Sequence, residues 1–215
     1  MLFEEFKQLA QTRRSIRDFS EESVTVHDVE DIIDCARYAP SDTNSQTWEF
    51  IAIMNRDKIK EIERMTWNQL HVLAEAAENK GLAREAKMLL KSFGPYATAF
   101  SHAPVLIVCL STPYASKFRE RIFDPLEFGN EAIWADESLK SSSLAIQNMM
   151  LAAHSKGLAT CPLTGPVLLA EQALRDYLSI SEEKALNMVV ALGHPAVQPK
   201  TMMRKTVSEI LTFIE

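Results

Sequence analysis

Apolar residues Phe3, Phe6, Leu9 and Ala10 recur at intervals of three and four, which predicts an amphipathic helix over residues 2 to 12 that runs into a basic segment, RRSIRDF. A second helix starts near Thr25, where Thr25 and Asp28 form a variant capping box ahead of the stripe Val29, Ile32, Ile33 and Ala36. It ends by Pro40, because the residue before a proline is pushed out of the helical region. Trp48 to Met54 is apolar and β-branched enough for a buried strand. Residues 57 to 91 read as helical, with Ile59, Ile62, Met65, Leu73 and Ala76 on one face and a break at Gly81. Val105 to Leu110 follows Pro104 without a charge and predicts a central strand.

Periodicity is weak from Thr112 to Ala135, a stretch that carries Tyr114, Phe118, Phe123, Phe128 and Trp134. A long aromatic-bearing connection in a compact domain reads as a functional loop. Leu139, Ile146, Met149, Met150 and Ala153 then mark a long helix closed by Gly157 as its C′ residue. It is apolar on more than one face and small at Ser141 to Ser143 and Ala152 to Ala153, which suits a central position. A loop at 160 to 167, a short helix over 168 to 178 and a strand from Ala185 to Leu192 follow. The tail from Gln198 to Glu215 has no core of its own and is expected to drape over another surface. Intermixed strands and helices without a linker or repeat predict one α+β or α/β domain over residues 1 to 215.

Composition narrows the function. A chain of 215 residues that is 47% apolar buries a full core without disulfides or a structural metal. No run approaches a membrane span and the amino end lacks the apolar block of a signal peptide, so a cytoplasmic location is expected. Cys35, Cys109 and Cys161 are odd in number and far apart, and His27, His71, His102, His154 and His194 have no metal-ligand spacing; no metal site is expected. Cys161 and His194 read as packed, structural residues. The net charge of −6 argues against nucleic acid as a partner. Basic residues nevertheless gather at the two ends of the chain, as Arg13, Arg14 and Arg17 and as Lys200, Arg204 and Lys205. That distribution suits one small anion, such as a phosphorylated ligand.

Two segments concentrate polar chemistry. Arg13-Arg14-Ser15-Ile16-Arg17 offers three guanidiniums and a hydroxyl whose geometry matches phosphate oxygens, although taken alone such a run reads first as a solvated basic face. APSDTNSQTW, from Ala39 to Trp48, gathers amides and hydroxyls that could bond a heteroaromatic edge, while its Pro, Ser, Asp and Asn also suit a plain turn.

R-R-S-I-R-x-F followed by A-P-S-x-x-N-x-Q-x-W resembles the nitroreductase family of flavoproteins, and GLATCPLTG (Gly157 to Gly165), ALGHP (Ala191 to Pro195) and Pro199-Lys200 with Arg204 continue the resemblance in the family's order. It implies a nitroreductase-like fold, with a central mixed sheet flanked by helices and a C-terminal extension wrapping a dimer partner. It also implies FMN as cofactor, with Arg13, Arg14, Ser15, Arg17, Lys200 and Arg204 on its phosphate, so that both termini meet at one site. Pro40, Ser41, Asn44 and Gln46 would reach the flavin from the neighbouring subunit of a homodimer, and Pro162, Leu163, Thr164 and Gly165 would line its reactive edge. Gly165 would admit the backbone close to the ring. Thr164 stands where an acidic residue is common in the family and Thr47 where proline is frequent. Thr43, Phe118, Phe123 and Phe128 are candidates for substrate contact.

The activity implied is hydride transfer from NADH or NADPH to the flavin and on to a small electrophile, a nitroaromatic or a quinone, in a ping-pong cycle, with no acid–base dyad required of the protein. The alternatives are a specialised flavin reaction (dehalogenation, enone reduction or dehydrogenation), a flavin-binding sensor without turnover, and a small-anion module without flavin.

Overall fold

A computed structural model describes residues 2–129, 131–199 and 202–215 of the chain. Helix α1 (Phe3–Thr12) leads through the basic segment to α2 (Val26–Ala36), then β1 (Trp48–Ile53), α3 (Arg56–Asn79), α4 (Ala83–Met88), α5 (Gly94–Ala97), β2 (Val105–Ser111), α6 (Glu131–Ser155), β3 (Ala159–Leu163), α7 (Gly165–Leu178), β4 (Ala185–Gly193) and α8 (Val207–Ile210).

The four strands form one sheet in the order β1-β2-β4-β3. The sheet is antiparallel at every pairing among the described residues rather than mixed as expected, and the parallel contact is an isolated bridge between Ser15 and Thr160 outside the strands' own ladders. The uncharged run predicted to be central is β2, and every one of its residues is buried. Its alternation explains the layers. Val105, Ile107 and Cys109 meet Val29, Ile32, Ile146 and Met149 of α2 and α6, whereas Leu106, Val108 and Leu110 meet Ile59, Ile62 and Leu174 of α3 and α7. A strand buried on both faces must be apolar at every position, and its sequence is.

Helix α2 begins at the predicted cap, with the Asp28 amide donating to Thr25 Oγ1 at 3.0 Å and the Thr25 amide to Asp28 Oδ2 at 3.1 Å. It lies antiparallel on α6, since Lys156 pairs with Asp28 at one end while the Asp42 amide donates to Ser141 Oγ at the other. Ser141 is buried at that contact, while Ser142 turns to the sheet, where its Oγ accepts from Asn187 Nδ2 at 2.7 Å. Gly157 follows α6 with φ 77°, the left-handed conformation expected of a C′ glycine.

Two expectations need correction. Residues 160–163 are not loop but β3, and α7 starts at Gly165. Pro162 disguised the strand, yet β3 is an edge strand, where a missing N–H is tolerated. The stretch after Thr112 is also less irregular than its weak periodicity suggested. It contains a π-helical turn at Arg119–Phe123, and α6 already begins at Glu131. Beyond the sheet the tail is exposed, with Val207, Ile210, Phe213 and Ile214 at 68, 70, 80 and 94% exposure. No helix among the described residues is long and apolar enough to cross a membrane.

Candidate functional site

The basic segment is held along the sheet edge. The Ile16 amide donates to the Thr160 carbonyl at 3.0 Å, Ser20 to His194 at 2.9 Å, and Ala196 to Asp18 at 2.9 Å. Ile16 and Phe19 turn inward and are buried. Residues 194–199 are thereby drawn alongside residues 13–18, and Arg13, Arg14, Ser15, Arg17, Met202 and Arg204 share a cavity of ≈ 680 Å³. Arg204 of the tail and Arg13, Arg14 and Arg17 of the first basic segment therefore line one cavity; Lys200 lies outside the described residues.

Within this cleft four guanidiniums face one lining carboxylate, that of Asp18. Burial holds Arg13 below the usual arginine range, and Arg204 and Arg14 push it the same way. Arg13 Nη1 and Arg17 Nε are buried without a hydrogen-bond partner. Donors stripped of water and crowded by like charge are costly unless an anion completes them, so the residues present fit a phosphate. Arg14 differs from its neighbours, because Nη1 turns back to the end of α1 and donates to the carbonyls of Gln11 and Arg13, the latter at 2.9 Å.

At the far end of β3, Pro162, Leu163, Thr164 and Gly165 line a cavity of ≈ 180 Å³ together with Phe93, Tyr96 and Ala97. Gly165 has a structural reason for lacking a side chain. A Cβ there would lie 2.6 Å from Ala97 Cβ and 2.7 Å from Ala97 Cα, so it is α5 that approaches this position. That approach carries Tyr96 over Arg17, with the guanidinium carbon 4.7 Å from the ring centroid and Nη2 donating to the hydroxyl at 3.2 Å. Arg17 thus links the basic cleft to the cavity at Pro162–Gly165. Sequence reasoning missed Tyr96, since nothing local in a 41-residue run from Arg56 to Tyr96 separates it from other surface aromatics. Cys161 lies between the two cavities with its thiol pushed up by burial, against the pull of Arg17 and Arg13. It is packed rather than activated.

The amide-rich turn stands elsewhere. Thr43, Asn44 and Gln46 adopt φ of 49°, 56° and 48°, three left-handed residues without a glycine among them. Such strain persists only where surroundings hold it, and it clusters at binding sites. Here the Gln46 amide donates to Ser41 Oγ at 3.0 Å and the Thr43 hydroxyl lies 3.3 Å from Tyr114 Oη. Pro40, Asn44 and Gln46 are exposed. The turn docks at Ser141 of α6, whereas the basic segment docks at His154, where the Thr12 hydroxyl meets Nε2 at 2.9 Å. Thirteen residues of α-helix separate the two points by about 20 Å, so one chain does not bring them together. The aromatic segment stays on the turn's side through Tyr114, and Phe123 packs on Phe128 and Trp134 at 5.8 and 5.6 Å while Phe118 remains 64% exposed. None of these phenylalanines lines the described cavities.

The model of the nitroreductase family matches residues 10–194. The chain belongs to that family. This nitroreductase-family member, an oxidoreductase by that membership, is 28% identical to a chloronitrobenzene nitroreductase from Comamonas testosteroni over 223 residues, covering 96% of this chain and 95% of that protein. Among solved structures, a BluB-like flavoprotein from Clostridium difficile 630 superposes with a TM-score of 0.84 at 26% identity, over 98% of this chain and 99% of that one. Oxidized iodotyrosine deiodinase, solved with FMN and 3-iodo-L-tyrosine, superposes with a TM-score of 0.69 at 22% identity over 94% of this chain and 95% of that one, a likeness of fold alone.

Proposed function

We propose that this nitroreductase-family chain is an NAD(P)H-dependent FMN oxidoreductase that reduces a small electrophile, a nitroaromatic, a quinone or a similar acceptor, and works as a homodimer. The observation that carries the proposal is the uncompensated cationic cleft, where Arg13 Nη1 and Arg17 Nε are buried without partners beside Arg204. Arg13, Ser15, Arg17 and Arg204 would hold the phosphate, with Arg14 adding charge at the rim and Lys200 joining from the tail. Pro162, Leu163, Thr164 and Gly165 would line the flavin's reactive edge, beside a cavity of ≈ 180 Å³ that they share with Phe93, Tyr96 and Ala97. Bound there, the flavin supplies hydride acceptance from NADH or NADPH and electron delivery to the acceptor, in a ping-pong cycle.

Two observations support the dimer. Pro40, Ser41, Asn44 and Gln46 lie on a strained turn that lines none of the described cavities, about 20 Å along α6 from the cleft. The tail exposes Val207, Ile210, Phe213 and Ile214, an apolar run that a soluble chain covers with a partner. In the dimer the turn would serve the other subunit's site, and Thr43, with Phe118, Phe123 and Phe128 of the aromatic segment that follows Tyr114, would contact its substrate.

The test is spectroscopic. The purified protein should carry or take up FMN, bleach on anaerobic mixing with NADH or NADPH, and recover its absorbance when a nitroaromatic or quinone is added. Absence of flavin uptake overturns the proposal, whereas uptake without bleaching leaves a flavin-binding sensor.

A further inference from the structure

A second cavity opens on the other side of Arg13. It measures ≈ 360 Å³, within the range of small-molecule sites, and Thr12, Arg13, Arg14, His154, Thr160 and Gln198 are among its walls. It shares Arg13, Arg14 and Ile16 on one side and Val197, Gln198 and Pro199 on the other with the basic cleft, so the two spaces are continuous past these guanidiniums, and Thr12, His154 and Gly157 to Thr160 belong to the second cavity alone. No carboxylate is among its described lining residues. Burial holds His154 below the usual imidazole range, and the charges of Arg13 and Arg14 push it the same way. The Thr160 hydroxyl, on a residue 2% exposed at this wall, is also buried without a partner.

The order of these features along β3 matters. The cavity at Pro162–Gly165 lies at the strand's end, the basic cleft lies where Ser15 bridges Thr160, and the His154 cavity lies at the start, beside Gly157 to Thr160. Thr164 and Thr160 are four residues apart, about 13 Å along an extended strand. The His154 cavity therefore lies beyond the phosphate cleft as seen from the ring-edge segment. A single phosphate does not fill it. A group that belongs there is anionic where it touches Arg13 and Arg14, is of nucleoside size, and continues from the ligand in the cleft.

We propose that the His154 cavity is a subsite for a nucleoside phosphate joined to the flavin's own phosphate, so that the protein binds the adenylate half of FAD as well as FMN. The inference rests on the flavin site proposed above. Arg13 and Arg14 would share the two phosphates, while Gln198, Thr12 and His154 offer polar contacts to the ribose and base.

Titrating the full chain with FMN and with FAD, followed by quenching of flavin fluorescence, tests it. Wild type should bind FAD within about tenfold of FMN. His154→Ala and, independently, Thr12→Ala, which line this cavity and not the basic cleft, should weaken FAD by about tenfold, the loss of one or two polar contacts, and leave FMN within about twofold. FAD binding more than about a hundredfold weaker than FMN in wild type overturns the inference and leaves the FMN site standing. Equal weakening of both flavins by His154→Ala overturns it too, because the cavity would then belong to the mononucleotide's own phosphate. If wild type binds neither flavin, the flavin site itself falls and takes this subsite with it.

Discussion

The basic cleft and the Pro40–Gln46 turn are both polar, but they stand about 20 Å apart along α6, the one at its C-terminal end and the other near its middle, and differ in what their own chain gives them. The cleft is assembled within one chain, by backbone bonds from Ile16 to Thr160, Ser20 to His194 and Ala196 to Asp18, and lacks only counter-charge. The turn is held by few contacts in a strained backbone and presents Asn44 and Gln46 to solvent. The first needs a ligand and the second needs a surface, which is what a site shared between two copies requires.

The strongest way to break this comparison is to separate the two halves. Arg13→Ala and, in another preparation, the pair Asn44→Ala and Gln46→Ala should each weaken FMN binding; the loss of Arg13 alone is expected to cost about 1.5–3 kcal/mol, roughly a 10- to 150-fold rise in Kd. If the halves belong to different subunits, mixing the two variants at equal concentration and letting subunits exchange should restore tight binding at about a quarter of the sites. A titration that recovers no tight sites after exchange would place both halves in one chain.

How far each half was legible follows from the same contrast. The cleft could be read because charge is a property of residue type, and Arg13, Arg17 and Arg204 mean the same in any fold. The layers could be read because Val105 to Leu110 is apolar at every position and Thr25 with Asp28 caps α2. Strand β3 could not, because Pro162 reads as a breaker unless the strand is known to be at the edge. Tyr96 could not either, since its partner Arg17 is 79 positions away and the contact depends on close packing between Ala97 and Gly165. The strain at Thr43 left no sequence mark, because a β-branched residue is what a left-handed position excludes on local grounds.

Gly165→Ala sharpens the cleft's side. Its Cβ would meet backbone as well as side chain of Ala97, so α5 or α7 must shift, at a cost of about 1–3 kcal/mol in stability. A lowered urea midpoint together with weaker flavin binding is expected, as Tyr96 moves off Arg17. An unchanged midpoint would mean that α5 gives way freely.

Thr43→Gly addresses the turn. A left-handed non-glycine residue costs about 1–2 kcal/mol, partly offset by the greater chain entropy of glycine, so the variant should gain roughly 0.5–1 kcal/mol. Flavin affinity should nevertheless fall, because the Tyr114 tether and the fixed turn are lost together. A variant with wild-type affinity would make the strain incidental to binding.

The smallest effect concerns the α2–α6 contact that carries the turn. The Thr25 hydroxyl donates to Asp28 Oδ2 at 2.6 Å, and with Lys156 at 3.0 Å it holds the Asp28 carboxyl at about 2, below its ordinary value of 3.8. A carboxyl depressed in the folded state releases its proton more readily there than in the unfolded chain. Its contribution is therefore complete above the ordinary carboxylate value and is lost as pH falls through that value toward about 2. Asp31 shares Lys156 and is shifted the same way, so it adds to the same window. Urea midpoints measured between pH 5 and pH 2 should fall less steeply for Asp28→Asn than for wild type, and the two curves should draw together at the acid end. Parallel curves would show that Asp28 is as free folded as unfolded, and that α2 holds the turn by its apolar contacts with α6 alone.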